Sequence, residues 1–143
     1  MKLKTTRFGE IEIPETEIYT FPEGLFGFAD VRSYLIVESP QGGLFRWLQS
    51  TEAPSLAFVV CDPAPFFPEY RVKVRPEDLA AIKLLDVAAG VVLVILTVPR
   101  DPREITANLQ GPLVLNREAR LGRQVVLAEP GVTPRHRIFK DVK

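Results

Sequence analysis

Hydrophobic and polar positions along this chain follow the period of strands far more often than that of helices. The densest stretch runs over residues 44–63. Residues 44–50 are rich in aromatic and aliphatic side chains, and Thr51, Glu52, Ala53, Pro54 and Ser55 interrupt them. Residues 56–61 are then six uncharged positions in a row. Successive strand side chains point to opposite faces, so Leu56, Phe58 and Val60 share one face and Ala57, Val59 and Cys61 the other. Both faces are apolar, which predicts a strand covered on both sides. Asp62-Pro63 stops it, because the residue before proline is restricted and aspartate favours turns. This hairpin is read as the middle of a small β domain.

The remaining pattern is read around it. Residues 3–13 start the sheet, and residues 8–13 alternate like a half-exposed strand. Pro14-Glu15 turns the chain, and residues 17–21 are predicted to form the return strand. Residues 21–28 hold three phenylalanines and two glycines, the composition of a tight turn whose aromatics plug the core. Residues 33–38 form a strand closed by Pro40, with Gly42-Gly43 as its loop. Residues 71–75 are read as a strand. Residues 76–85 are the best helix, with Pro76 first, Glu77 and Asp78 in the first turn, and Leu79, Ile82 and Leu85 on one stripe. Residues 91–98 are a β-branched run, predicted to be a second buried strand. Gly111-Pro112 divides residues 105–116 into two strand pieces, and Asn108 and Asn116 suit turn closure. Residues 116–122 are polar and read as a turn of helix, residues 124–128 as a last core strand, and Pro130-Gly131 as the entry to a tail. The expected class is mainly β, with one or two short helices and no internal repeat.

Totals narrow the picture. A chain of 143 residues points to one domain over 1–143, long enough to bury a real core. Eighteen basic and eighteen acidic residues cancel, so nothing in the net charge argues for nucleic acid or membrane as partner. One cysteine excludes an internal disulfide and fits a reducing compartment. The N-terminus lacks the apolar core of a signal peptide. The longest uncharged stretch, residues 87–99, is shorter than the ~20 residues a spanning helix needs. A soluble cytoplasmic protein is expected.

Candidate chemistry is sparse. Cys61 and His136 are the sole cysteine and histidine, with no Cys-x-x-Cys or His-x-x-x-His spacing. Cys61 is best read as a core thiol. His136 lies between Arg135 and Arg137 in the tail. Gly24-Leu25-Phe26-Gly27 lacks the lysine of a phosphate loop. The acidic pairs Asp62/Glu69 and Glu77/Asp78 sit where carboxylates are ordinary. The basic residues 135–140 could meet RNA phosphate, yet a short solvated tail explains them equally. No catalytic, metal or cofactor site is expected, and a binding module is the default. The loop 63–70, dense in proline and aromatic residues, is the first candidate contact surface; the alternative is that Phe66 and Phe67 cover one end of the sheet, since large aromatics are usually buried.

Six blocks in order carry a resemblance: residues 21–28, then 48–50, 58–63, 68–70, 106–116 (broken at Gln110) and 122–127. Together they resemble the flagellar assembly factor FliW family over nearly the whole chain. The resemblance implies a small antiparallel β-barrel-like fold without enzymatic activity or cofactor, in the cytoplasm. It implies two partners, flagellin and the RNA-binding translational regulator CsrA, whose repression of flagellin synthesis the family relieves, with no direct contact to nucleic acid or membrane. Phe66, Phe67 and Tyr70 would offer apolar surface to flagellin, and Asp62 and Glu69 would steer basic CsrA. Thr106 and Asn108 form a second candidate segment. The alternative is a small-ligand-binding barrel of the flavin type.

Overall fold

A computed structural model describes residues 1–38 and 43–139, so Pro40, Gly42 and Lys140 lie outside the described residues. Among the described residues the regular structure is eleven strands, one α-helix and three short 3-10 helices. Strands β1 (Lys2–Thr5) and β2 (Gly9–Glu12) form a separate antiparallel ribbon. The main sheet contains β3 (Tyr19–Thr20), β4 (Ser33–Glu38), β5 (Phe45–Ser50), β6 (Ala57–Cys61), β7 (Val91–Thr97), β8 (Thr106–Ala107), β9 (Leu113–Asn116), β10 (Leu121–Gln124) and β11 (His136–Arg137). Seven of these close into a barrel in the order β7, β6, β5, β4, β3, β10, β9, with β9 returning to β7. Closure is possible because β7 divides one edge. Val91, Val92 and Leu93 pair with β9, while Leu96 and Thr97 pair with β8. All pairings are antiparallel except Leu121 of β10 beside Thr20 of β3.

The barrel interior is filled by side chains. Phe21, Tyr34, Leu48, Val60, Leu93, Leu113 and Leu115 have no exposed surface and form one cluster with Tyr19 and Leu25. Phe21 meets Tyr34 edge-on, with ring centroids 5.5 Å apart, a favourable aromatic geometry. Alternation then sends other apolar residues outward, and three layers cover them. The β1–β2 ribbon packs Leu3 and Ile13 on Leu35. Helix α1 (Pro76–Ala81) and the chain after it pack Leu79, Ile82 and Leu84 on Val114 and Val125. The loop after β6, with Ile105, Ala107, Leu109 and Ile138, covers Cys61, Val94 and Leu96. Strand β6 is apolar on both faces, and at its end Val60 and Cys61 are buried on opposite faces as the sequence predicts, while Ala57, Phe58 and Val59 are half-buried.

Cys61 is buried, and burial pushes its thiol pKa up to about 11; the neighbouring Asp62 charge adds to this and Arg46 opposes it. A thiol in that state holds almost no thiolate at neutral pH. The folded protein is expected to resist a chromogenic disulfide reagent at pH 8, with one equivalent reacting after denaturation. Rapid labelling of the native protein would contradict this environment.

Several expectations change. The predicted return strand at residues 17–21 is reduced to β3, which pairs with β4 and β10, not with the N-terminal segment. The turn instead falls at residues 6–8. There the Thr5 hydroxyl accepts from the Phe8 amide and donates to the Gly9 carbonyl, so β2 returns along β1. Residues 71–75 form no strand among the described residues, since no neighbour offers them a ladder; Val72 and Val74 pack on the α1 cluster instead. Helix α1 stops at Ala81, and Lys83 turns left-handed at φ 61°. That break leaves Leu85 fully exposed and places Leu84 in the core. Residues 116–120 form a hydrogen-bonded turn in place of helix, with the Asn116 Oδ1 accepting from the Glu118 and Ala119 amides. The strand expected over residues 124–128 does not form: β10 ends at Gln124, and beyond it buried Val125 and Leu127 donate their backbone amides to the Pro112 and Gln110 carbonyls. The basic segment is no free tail. His136 and Arg137 pair with β8, and Ile138 is buried.

The turn 21–28 is held by the end of barrel strand β10. The Phe26 amide donates to Gln124 Oε1 at 2.8 Å, and Glu23 pairs with Arg123. Arg123 also donates to buried Asp78 at 2.8 Å, as does Arg75 at 3.2 Å. Burial alone would raise the Asp78 pKa, but these two guanidinium groups outweigh it and hold the carboxyl below its ordinary value. Of the three aromatics expected to plug the core only Phe21 does so, joined by Leu25, whereas Phe26 and Phe28 reach solvent.

Candidate partner-binding surface

The loop after β6 is built from short backbone turns. Asp62 Oδ1 accepts from the Ala64 amide at 2.9 Å, and the Pro63 carbonyl accepts from the Phe66 and Phe67 amides. This brings two adjacent rings back over the barrel wall. Phe66 lies between Phe45 and Phe139, with centroids 6.0 and 6.2 Å away, and Phe67 meets His136 at 6.1 Å. Tyr70 donates its hydroxyl to the Leu109 carbonyl at 2.6 Å, and burial raises its pKa well above the ordinary phenol. Tyr70 therefore anchors the loop to the chain after β8.

Phe66, Phe67 and Tyr70 thus share one patch with the β8 segment. Thr106 is half-buried in β8, opposite Arg137 and Thr97. Asn108 is turned inward: its Oδ1 accepts from the Gly111 amide at 2.9 Å, and its own amide donates to the Ile95 carbonyl. A Cβ on Gly111 would come within 3.1 Å of Asn108 Nδ2 and 2.9 Å of Gln124 Nε2, so these two side-chain amides would have to shift. Asn108 closes a turn and is half-buried. Asp62 and Glu69 are exposed, and neither is in an ion pair among the described residues.

Beside Phe66 lies an open groove of about 550 Å³, lined by Leu44, Phe45, Trp47, Val59, Val98 and Phe139 as well as Phe66 itself. Leu44 and Val98 are 56% and 50% exposed, and Phe139 36%. Arg7 stacks over the Trp47 ring, 4.1 Å from its centroid. A second cleft of about 540 Å³ joins Asp62, Phe67 and Tyr70 to Arg71, Lys73 and Val87. The sequence reading missed the groove residues Leu44, Trp47, Val98 and Phe139. Alternation had assigned Leu44 and Val98 to strand runs, and it does not distinguish an apolar residue under a layer from one left uncovered. An apolar groove with carboxylates on its neighbouring loop suits the apolar stripe of a peptide or helix. Among the described residues no cluster of three or more His, Cys, Asp or Glu could hold a metal ion.

The FliW protein family model matches residues 2–138. The chain belongs to the FliW family. It is 44% identical over 142 residues to the flagellar assembly factor FliW of Natranaerobius thermophilus, covering 99% of this chain and 94% of the relative. It is 42% identical to that of Bdellovibrio bacteriovorus, covering 100% of this chain and 82% of the relative. A crystal structure of the flagellar assembly factor FliW superimposes with a TM-score of 0.92 at 33% identity, each chain covered in full. The β-barrel is thus the FliW fold. No helix among the described residues is long and apolar enough to cross a membrane.

Proposed function

We propose that this protein is a non-enzymatic regulator in the cytoplasm that binds flagellin and, when free of it, binds CsrA and relieves repression of flagellin translation. The observation that carries this reading is membership of the FliW family over nearly the entire chain. The exposed apolar groove beside Phe66 supports a place for an apolar helical stripe of flagellin. The exposed carboxylates Asp62 and Glu69 support electrostatic steering of a basic partner such as CsrA. Partner exchange then requires only that flagellin and CsrA binding disfavour each other, by overlap or by a coupling free energy.

Co-elution with flagellin and with CsrA from the same organism, separately and then together, tests the function. Two stable pairwise complexes and exclusion of CsrA by excess flagellin are expected; failure to bind either partner rejects the reading. The surface is tested by Leu44→Asp and Val98→Asp, chosen because both side chains are exposed and the fold does not depend on them. Each is expected to weaken flagellin binding about tenfold or more while leaving stability within about 0.5 kcal/mol. Glu69→Lys is expected to slow association with CsrA, most strongly at low salt. Wild-type affinity in all three variants would remove this face from the site.

A further inference from the structure

Another cleft lies between the segment that follows α1 and the β9–β10 turn. It holds about 690 Å³, and none of the loop residues discussed above lines it. Lys83, Leu84 and Leu85 form one wall and Arg117, Glu118 and Arg120 the other. Three cations face one carboxylate there. None of the three is in a salt bridge among the described residues. Arg120 is steadied by the Tyr19 ring, 4.8 Å from its guanidinium carbon.

One buried side chain holds both walls. Asn116 Nδ2 donates to the Ile82 carbonyl at 2.8 Å and to the Lys83 carbonyl at 3.3 Å. Its Oδ1 accepts from the Glu118 and Ala119 amides, each at 3.1 Å. The cleft is therefore preformed, so a ligand need not order it. Lys83 and Arg120 are also the only two non-glycine residues at positive φ among the described residues, 61° and 54°. Glycine or asparagine would take those positions with less strain. Both positions carry a cation, and both line this cleft. Leu85 stands fully exposed on its rim, although leucine gains most by burial.

We propose that this cleft is a second docking site, for a protein segment that carries an apolar side chain flanked by carboxylates. The leucine on the rim favours a peptide over a nucleic acid or a simple anion, which have no apolar side chain to cover it. The balanced charge of the whole chain also disfavours a polyanion. The proposal goes beyond the flagellin and CsrA reading and does not depend on it.

The test uses the full chain and a fluorescein-labelled helical peptide with leucines at i and i+4 among glutamates, read by fluorescence polarisation. Wild-type protein is expected to bind it and to ignore the same peptide with lysine for glutamate. Arg117→Glu and Leu85→Ser change exposed side chains and are each expected to weaken binding about tenfold. Lys2→Glu, the same charge change at a distant exposed position, is expected to leave binding intact. Absence of wild-type binding, equal binding of the lysine peptide, or full affinity in both cleft variants would overturn the proposal. So would displacement of the peptide by inorganic phosphate or by polyuridine at constant ionic strength, which would assign the cleft to anions or to nucleic acid.

Discussion

Phe21→Ala is expected to destabilise the protein by about 3–5 kcal/mol, read as a lower urea midpoint with an unchanged slope. Phe21 is wholly buried in the barrel, edge-on to Tyr34. Its ring occupies space that Gly122 of β10 leaves open. A Cβ on Gly122 would lie 2.5 Å from Phe21 Cζ and 2.8 Å from Leu115 Cδ2. Removing the ring opens a cavity that a closed ring of strands cannot readily collapse. The same contact makes a sharper test. Gly122→Ala alone is expected to cost about 1–3 kcal/mol by overpacking. In the Phe21→Ala background it is expected to cost nothing or to restore stability, because the methyl group then enters vacant space. Additive losses in the double variant would show that the two residues do not share that space.

The second large effect is expected at Gly24. Its φ of 65° is left-handed, and its amide donates to the Phe21 carbonyl at 2.8 Å. A Cβ there would sit 2.5 Å from the Phe28 carbonyl oxygen and 2.8 Å from the Ala29 Cα, both backbone atoms that cannot swing aside. Left-handed strain and the backbone clash together predict a loss of about 2–5 kcal/mol for Gly24→Ala. Gly27 supplies the control. Its φ is 85°, but a Cβ would meet nothing within 4 Å, so Gly27→Ala is expected to cost only about 1 kcal/mol. Thermal melts of the pair separate the two causes; equal losses would mean that the crowding at Gly24 is relieved by movement of the turn.

Much of the wall of the barrel was legible as alternation. Strands β4, β5, β6 and β7 are four neighbours in the sheet, each long enough to display a period. The candidate loop was legible as composition, and the structure brings Phe66, Phe67 and Tyr70 into one patch. Asn108 was readable as a turn-closing residue, and its bond to the Gly111 amide shows that closure. The short strands were not legible. β3, β8 and β11 have two residues each, too few to carry a period, and exist because a neighbour already offers them a ladder. The end of α1 was missed because Lys83 adopts a left-handed conformation that lysine does not advertise.

The sequence by itself determined the β class, the apolar character of both faces of β6, the proline-led start of α1, the asparagine-closed turns and the family. Those features are local, written in side-chain period, in the fixed φ of proline and in short hydrogen bonds. Only the tertiary structure decided that β9 returns to β7 to close the barrel, that β1 and β2 stand apart as a ribbon, and that Leu44, Leu85 and Val98 remain uncovered. Each of these outcomes depends on which distant segment arrives to pair or to cover, and a pattern of near neighbours holds no record of that.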